Sequence, residues 1–171
     1  IAIKQFIKKK NLWFEKYVKI KKDKNGVFFN KKFNMKNFEK KINYNISENQ
    51  NFIEYSLQGL KYLKEITKFI KRNNGGILII DYGYIEKKMK NTLRAISNHK
   101  YSNVLDNIGN SDITHNINFY LYKKLTQQLG GVDSIITTQR DFLIKMGIEK
   151  RAEVISKNQN FSRKADIYYR L

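Results

Sequence analysis

The chain has 171 residues, a length that fits one domain with an ordinary core. Hydrophobic residues make up 41% and aromatics 13%, which excludes the composition of a disordered chain, and the absence of Cys excludes disulfides, thiolate metal sites and cysteine nucleophiles. Lysine and arginine outnumber acids by 34 to 15, a net charge of +19 that ordinarily points to nucleic acid or an anionic surface.

The distribution argues against that first reading. Basic residues are scattered through every predicted element, most of them are Lys, and Asn and Ile are abundant while Pro is absent, against an average usage of about 5%. Lys, Asn and Ile have A/T-rich codons and Pro has C-rich ones, so an AT-rich genome accounts for all of these biases together. With His99 and His115 as the only histidines and no ligand spacing around them, no metal site is expected. No apolar run approaches the length of a membrane span and no signal peptide is visible, so the sequence reads as soluble and intracellular. It opens on Ile1 and closes on Tyr168-Tyr169-Arg170-Leu171 without a cap or polar tail, and both ends read as cut.

In chain order, Leu12, Phe14, Tyr17, Val18 and Ile20 alternate loosely, and Lys24-Asn25-Gly26 leads into Val27-Phe28-Phe29. Asn-Gly between two such runs predicts a β-hairpin over 13–31, with Trp13 and the Phe28-Phe29 pair as its packing residues. Residues 32–46 read mostly as loop. Ser47-Glu48-Asn49-Gln50 fits a capping box ahead of an apolar series at 53, 57, 60, 63, 66 and 70, which predicts a helix stopped by Asn73-Asn74-Gly75-Gly76. Ile77-Leu78-Ile79-Ile80 follows, and four consecutive aliphatics predict a strand of a parallel sheet covered on both faces. That order places Asp81 at the carboxyl end of a strand, where ligands sit in open α/β sheets. Residues 91–118 show little periodicity and concentrate Asp, Asn, His, Thr and Arg, the composition of a functional irregular segment. Phe119–Leu129 predicts a helix ended by Gly130-Gly131, and Val132–Ile136 a strand. Thr138-Gln139-Arg140-Asp141 predicts a capped helix start, and 148–157 a last helix. The fold class expected is α/β.

Four segments together carry a family resemblance: GGILIIDYGY at 75–84, NTLRAISNHK at 91–100, DNIGNSDITHNINF at 106–119 and TQRDFLIKMGIEKR at 138–151. They resemble the MidA-like family of class I S-adenosylmethionine-dependent methyltransferases, which has a strand ending in Asp-Tyr-Gly, a Thr-Leu-Arg-type segment followed by His, and a Gly-x-x-Asp-Ile-Thr-type run. The opening IAIKQFIK is similar to the tail of the family's Asn-Glu-Phe-Phe-Asp segment. The resemblance implies the C-terminal part of a Rossmann-like methyltransferase domain with the hairpin as an excursion, spanning 1–171. It also implies protein arginine methylation linked to respiratory complex I assembly. The family's glycine-rich cofactor loop would lie upstream of Ile1, so S-adenosylmethionine binding is expected to need an amino-terminal half, which a separate gene would supply if the two are split. Asn118 stands where the family has Asp, and prolines expected near Leu105 and Ile108 are missing.

Several roles follow for particular residues. Methyl transfer needs the acceptor nitrogen in line with the methyl, and a carboxylate or amide to hold the guanidinium. Asp112 and Asp81 are the candidate catalytic carboxylates, and Thr114, His99, Arg94, Asn118 and Gln139 the candidate substrate-binding residues. Asp81, Tyr82 and Gly83 are the candidate cofactor contacts. Each has a plainer alternative: a turn residue for Asp81, a helix N-cap or Asx-turn for Asp112 and Thr114, polar packing for His99, an ion pair for Arg94, a helix cap for Gln139, core packing for Tyr82 and Tyr84, and a surface role for His115. The expected partner is a protein with an acceptor arginine, without specific nucleic acid or a membrane span. The expected location is the bacterial cytoplasm, or the mitochondrial matrix in a eukaryote. Two other readings stay open, an inactive remnant of a split or decayed gene and a basic nucleic-acid-binding module.

Overall fold

A computed structural model of the chain describes residues 2–22, 25–106 and 108–171. Ile1, Asp23, Lys24 and Asn107 lie outside the described residues, so the predicted Lys24-Asn25-Gly26 turn is seen only from Asn25 onward. The chain forms two compact units, 1–134 and 135–171.

The first unit opens on strands β1 (Lys4–Lys9), β2 (Leu12–Ile20) and β3 (Gly26–Phe33). Lys10 and Asn11 both have positive φ, 46° and 63°, so β1 and β2 join through a two-residue turn with the twist a tight hairpin needs. The β2–β3 hairpin is where the sequence places it, but β1 was not expected. Residues 32–46, read as loop, instead hold helix α1 (Met35–Ile42), capped by Asn34, whose side chain accepts from the Asn37 N–H, and closed by left-handed Asn43. Strand β4 (Phe52–Tyr55) completes an antiparallel sheet of order β3-β2-β1-β4.

The capping box at 47–50 does not cap. The Ser47 N–H donates to Glu39 Oε1 at 2.8 Å, and the Gln50 amide reaches across the fold, donating to Lys87 O (2.7 Å) and accepting from the Met89 N–H (2.8 Å). Helix α2 (Leu57–Asn73) starts later, on Ser56, whose Oγ accepts from the Gly59 N–H at 3.0 Å. Its end is made by Asn74 at φ 51° rather than by a glycine, since an asparagine tolerates the left-handed region. Ile77–Ile80 does not form a strand. A strand exists only by pairing, and among the described residues none pairs with this run; its side chains are 49%, 61%, 39% and 67% exposed.

Beyond it, β5 (Gly83–Tyr84) pairs in parallel with β9 (Ile117–Asn118). Residues 91–118 are more regular than expected. Strands β6 (Arg94–Ser97), β7 (Lys100–Ser102) and β8 (Asp112–Thr114) form an antiparallel sheet of order β7-β6-β8. Asn98 and His99, at φ 50° and 60°, make a second tight two-residue turn between β6 and β7. Helix α3 (Phe119–Gly130) begins on Asn118 and ends on Gly131 at φ 61°, as the sequence indicates. Val132–Ile136 is not a strand, and Ile135 is 92% exposed.

The core joins one face of the first sheet to three helices. Phe6, Trp13, Ile53 and Tyr55 from the strands meet Met35, Leu63, Leu121 and Leu125. Phe6 lies 4.6 Å from Phe33 and 6.0 Å from Phe38 between ring centroids, an aromatic nucleus under α1. The second unit holds helices α4 (Gln139–Lys145), α5 (Ile148–Ser156) and α6 (Phe161–Tyr169). Thr138 caps α4 as expected, accepting from the Asp141 N–H at 3.1 Å. Helix α6, started by Asn160, follows the helix expected to be the last.

Gly83 shows how closely β5 and β9 approach. A Cβ there would stand 2.4 Å from Phe119 Cε2 and 2.5 Å from Ile117 O, whereas a Cβ at Gly75 meets nothing within 4 Å. Gly83→Ala should therefore destabilise the chain by roughly 1–3 kcal/mol, the scale of overpacking, and Gly75→Ala by much less, as read from urea unfolding midpoints.

Candidate functional site

Alternation along the strands turns Phe6, Glu15, Ile53 and Tyr55 toward one face of the first sheet, and Gln5, Lys16 and Glu54 toward the other. That second face is polar, yet Gln5 and Glu54 are buried, because residues 91, 92 and 116 bond over it. The Glu54 carboxylate accepts from Gln5 Nε2 (2.6 Å), from the Thr92 N–H (3.2 Å) and from the Thr92 hydroxyl. Gln5 also donates to Asn91 Oδ1 (2.9 Å), and Thr92 Oγ1 accepts from the Asn116 N–H (2.9 Å). A buried carboxylate with its lone pairs filled by three donors is a stable anchor rather than a free acid. It ties the entry of β6 and the exit of β8 to the first sheet, and so fixes the small sheet that carries most of the sequence candidates.

On that small sheet the register sets Arg94 opposite Thr114, and Ile96 opposite both Asp112 and Tyr101. Cross-strand partners share a face, so Arg94, Tyr101, Asp112 and Thr114 stand together on one side, all exposed. Ala95 on the opposite side is fully buried. The Arg94 guanidinium donates to the Tyr101 hydroxyl at 3.3 Å and lies 5.5 Å from its ring centroid. Beside it is an open depression lined by Leu93, Arg94, Tyr101, Ser102, Asn103 and Val104.

The other candidates are placed elsewhere. Asp81 is exposed, its Oδ1 accepts from the Tyr82 N–H (2.7 Å), and it precedes β5 instead of ending a strand, so it has the geometry of a turn residue. Tyr82 is 84% exposed, which corrects its reading as core, while its carbonyl accepts from the Ile117 N–H at 2.9 Å. Tyr84 is half-buried; its hydroxyl accepts from the Lys90 N–H at 3.3 Å. Asn118 is buried and fully used as the α3 cap, accepting from the Leu121 N–H (3.1 Å) and donating to Glu86 O (3.1 Å). His99 is an exposed turn residue, not polar packing. Asp112 and Thr114 lie in β8 and do not cap a helix. Arg94 makes no ion pair among the described residues. Gln139 opens α4 in the second unit and is exposed; the capping there belongs to Thr138. His115 is half-buried just before β9.

Neither the packing at Gly83 nor the depressions beside Arg94 and beside Glu39 encloses a cradle for S-adenosylmethionine. The space at Gly83 is filled by the Phe119 ring and the Ile117 carbonyl, and the depressions around Arg94 and around Glu39 to Glu48 open broadly to solvent. No group of three or more metal-ligating side chains occurs among the described residues. The sequence candidates also omitted the anchor: Gln5, Glu54, Asn91, Thr92 and Asn116. The available signal was a lone acid, Glu54, inside the apolar run Phe52–Tyr55.

Comparison with known proteins agrees with this architecture. A model of the family described as "Putative S-adenosyl-L-methionine-dependent methyltransferase" matches residues 1–138, and the chain belongs to this family. Among curated relatives, a mitochondrial protein arginine methyltransferase NDUFAF7 homolog of Caenorhabditis elegans is 28% identical over 157 residues, covering 88% of this chain and 36% of the relative. The protein arginine methyltransferase NDUFAF7 of Danio rerio is 29% identical over 123 residues, 71% of this chain and 28% of that one. The chain thus spans about a third of the length of these relatives. Among solved structures, a COG1565 superfamily member from Burkholderia thailandensis bound to S-adenosyl-homocysteine superposes with a TM-score of 0.67 at 19% identity, over 98% of this chain and 45% of that one. The two share a fold over that extent. Among the described residues no helix is long and apolar enough to cross a membrane.

Two outcomes follow from the buried groups. Glu54→Gln places an amide donor among the donors of Gln5 and Thr92, and should cost about 2 kcal/mol or more of stability, measured by thermal or urea unfolding. Burial holds the phenols of Tyr55, Tyr122 and Tyr84 above their ordinary range, with the negative charge of Glu15 adding to the effect at Tyr55 and that of Asp81 at Tyr122. A phenol whose folded pKa exceeds its unfolded value of about 10 stabilises fully below that pH and loses its contribution as pH rises through the folded value. Stability from urea midpoints should therefore decline above about pH 10, and less steeply in Tyr122→Phe.

Proposed function

We propose that this chain is the C-terminal, substrate-facing portion of a SAM-dependent protein arginine methyltransferase linked to respiratory complex I assembly. The glycine-rich cofactor loop would come from an amino-terminal part of the domain, in the same or a separate polypeptide. The observation that carries this reading is the run Ile77-Leu78-Ile79-Ile80, exposed and without a strand partner among the described residues, in a family member that spans about a third of its relatives. Contiguous aliphatics of that kind are sheet strands awaiting neighbours. The two relatives named above carry arginine methylation in their names, which supports the acceptor class.

In this reading Asp112 accepts bidentate hydrogen bonds from the acceptor guanidinium. Thr114, two residues along the same strand face, adds a hydroxyl, and Arg94 with Tyr101 orients the acceptor backbone or a neighbouring carboxylate. His99 would lie at the margin, Asn118 would act through the α3 cap and β9, and Gln139 opens α4 in the second unit. Asp81, Tyr82 and Gly83 would face the cofactor only once the sheet is completed. The partner is a protein bearing the acceptor arginine, and the location follows that partner, bacterial cytoplasm or mitochondrial matrix.

The test is methyl transfer from radiolabelled S-adenosylmethionine to arginine-containing protein, with the chain alone and with the amino-terminal part of a family member added or fused. The chain alone should bind the cofactor more weakly than about 100 μM by calorimetry, and transfer should appear only in the completed enzyme. Asp112→Asn should then lower turnover by about 10²-fold with cofactor affinity unchanged. Completion without any transfer would instead support a decayed remnant. Full activity in Asp112→Asn would move the site to Asp81.

A further inference from the structure

We propose that the open edge of β3 is a strand-addition site for an extended, acidic segment of a partner protein. In the order β3-β2-β1-β4, β3 is an outer strand, and among the described residues nothing pairs with its far side. Its eight residues run in unbroken register with β2, from Gly26 opposite Ile20 to Phe33 opposite Trp13. The Lys21 N–H donates to Asn25 O at 2.9 Å, which fixes the phase of the ladder. Val27, Phe29 and Lys31 direct their backbone groups to β2, and Phe28, Asn30 and Lys32 direct theirs outward. Natural edges are usually blunted by shortness, proline, a bulge or a cover. Here the edge is long, continuous and free of proline; the Leu105 and Ile108 side chains approach it at Gly26, lysines guard its Lys31-Lys32 end, and the stretch between is open.

Charge selects the partner. Residues 12–33 contain seven lysines and no arginine against two acids. One of those acids, Glu15, is buried and paired with Lys4 at 2.6 Å. Lys19, Lys21, Lys22, Lys31 and Lys32 are exposed. A second copy would bring its own lysines to this edge, and like charges across paired strands are unfavourable. The aromatics argue for polypeptide rather than bases. The Tyr17 and Phe29 rings stack on each other at 5.5 Å and 22°, and Lys16 Nζ sits 3.8 Å over the Phe28 ring, so these faces are already occupied. What the edge offers is main-chain hydrogen bonds, apolar contact at Val27 and at the parts of Phe28 and Phe29 that stay exposed, and ammonium groups for carboxylates, the recognition mode of strand addition.

The probe is a fluorescein-labelled peptide of alternating Glu and Val about as long as β3. A peptide with Lys replacing Glu and an oligouridylate of similar length serve as competitors, all at about 150 mM salt with the full chain. Fluorescence anisotropy should show binding of the glutamate peptide at least ten-fold tighter than either competitor, and the double variant Lys31→Glu/Lys32→Glu should lose that preference. On binding, amide hydrogen exchange should slow at Phe28, Asn30 and Lys32 and change little at Val27 and Phe29, which already bond to β2. Equal binding of both peptides, tighter binding of the RNA, dimerisation of the chain through β3, or binding that leaves the three outward amides unprotected would each overturn the proposal.

Discussion

The buried carboxylate of Glu54 decides where the candidate site can be. Any carboxylate taken out of water must be surrounded by donors, and the donors Glu54 finds are Gln5 from the neighbouring strand and both the N–H and hydroxyl of Thr92. Thr92 in turn receives the Asn116 N–H. The demand of one side chain for hydrogen bonds thus joins two sheets that share no strand, and it brings the ends of β6 and β8 beside β9 and the Asn118 cap of α3. Removing the charge would leave Thr92 and Gln5 with donors and nothing to receive them, so anchor and site stand or fall together.

This arrangement explains a separation of labour within the chain. The polar anchor is rigid and inaccessible, and the exposed face bearing Arg94, Tyr101, Asp112 and Thr114 is presented by it to solvent. An exposed face of this kind suits contact with a macromolecule, whereas small-molecule cofactors sit in enclosed clefts. Family membership supplies the methyltransferase class.

Local sequence signals match the structure where the chain answers to its neighbours in sequence. The β2–β3 hairpin, the Gly130-Gly131 end of α3 and the Thr138 cap of α4 all depend on residues a few positions apart. They mislead where a distant partner claims a group. Ser47 and Gln50 look like a capping box, but Glu39 takes the first and the 87–89 backbone takes the second. Ile77–Ile80 reads as a buried strand because its composition is that of one, and only pairing partners would make it so. The segment 91–118 looked irregular because its strands are three or four residues long, too short for a period to show, and the left-handed Asn98-His99 turn lies in a pair of residues that also resembles a polar site. Of the candidate site, Asp112, Thr114 and Arg94 come from the family resemblance. Gln5, Glu54 and Thr92 were not legible, because an anchor made across 38 to 49 residues leaves no local pattern.

The central claim is that the small sheet is held to the first by the Glu54 anchor as one cooperative body. Native-state hydrogen exchange tests it most directly, by comparing the Thr92 and Asn116 amides with those of β1 in increasing denaturant. The claim predicts that all of them exchange only through the same global opening, with merging isotherms. Exchange of Thr92 and Asn116 through a separate opening of much lower free energy, with β1 still protected, would contradict it.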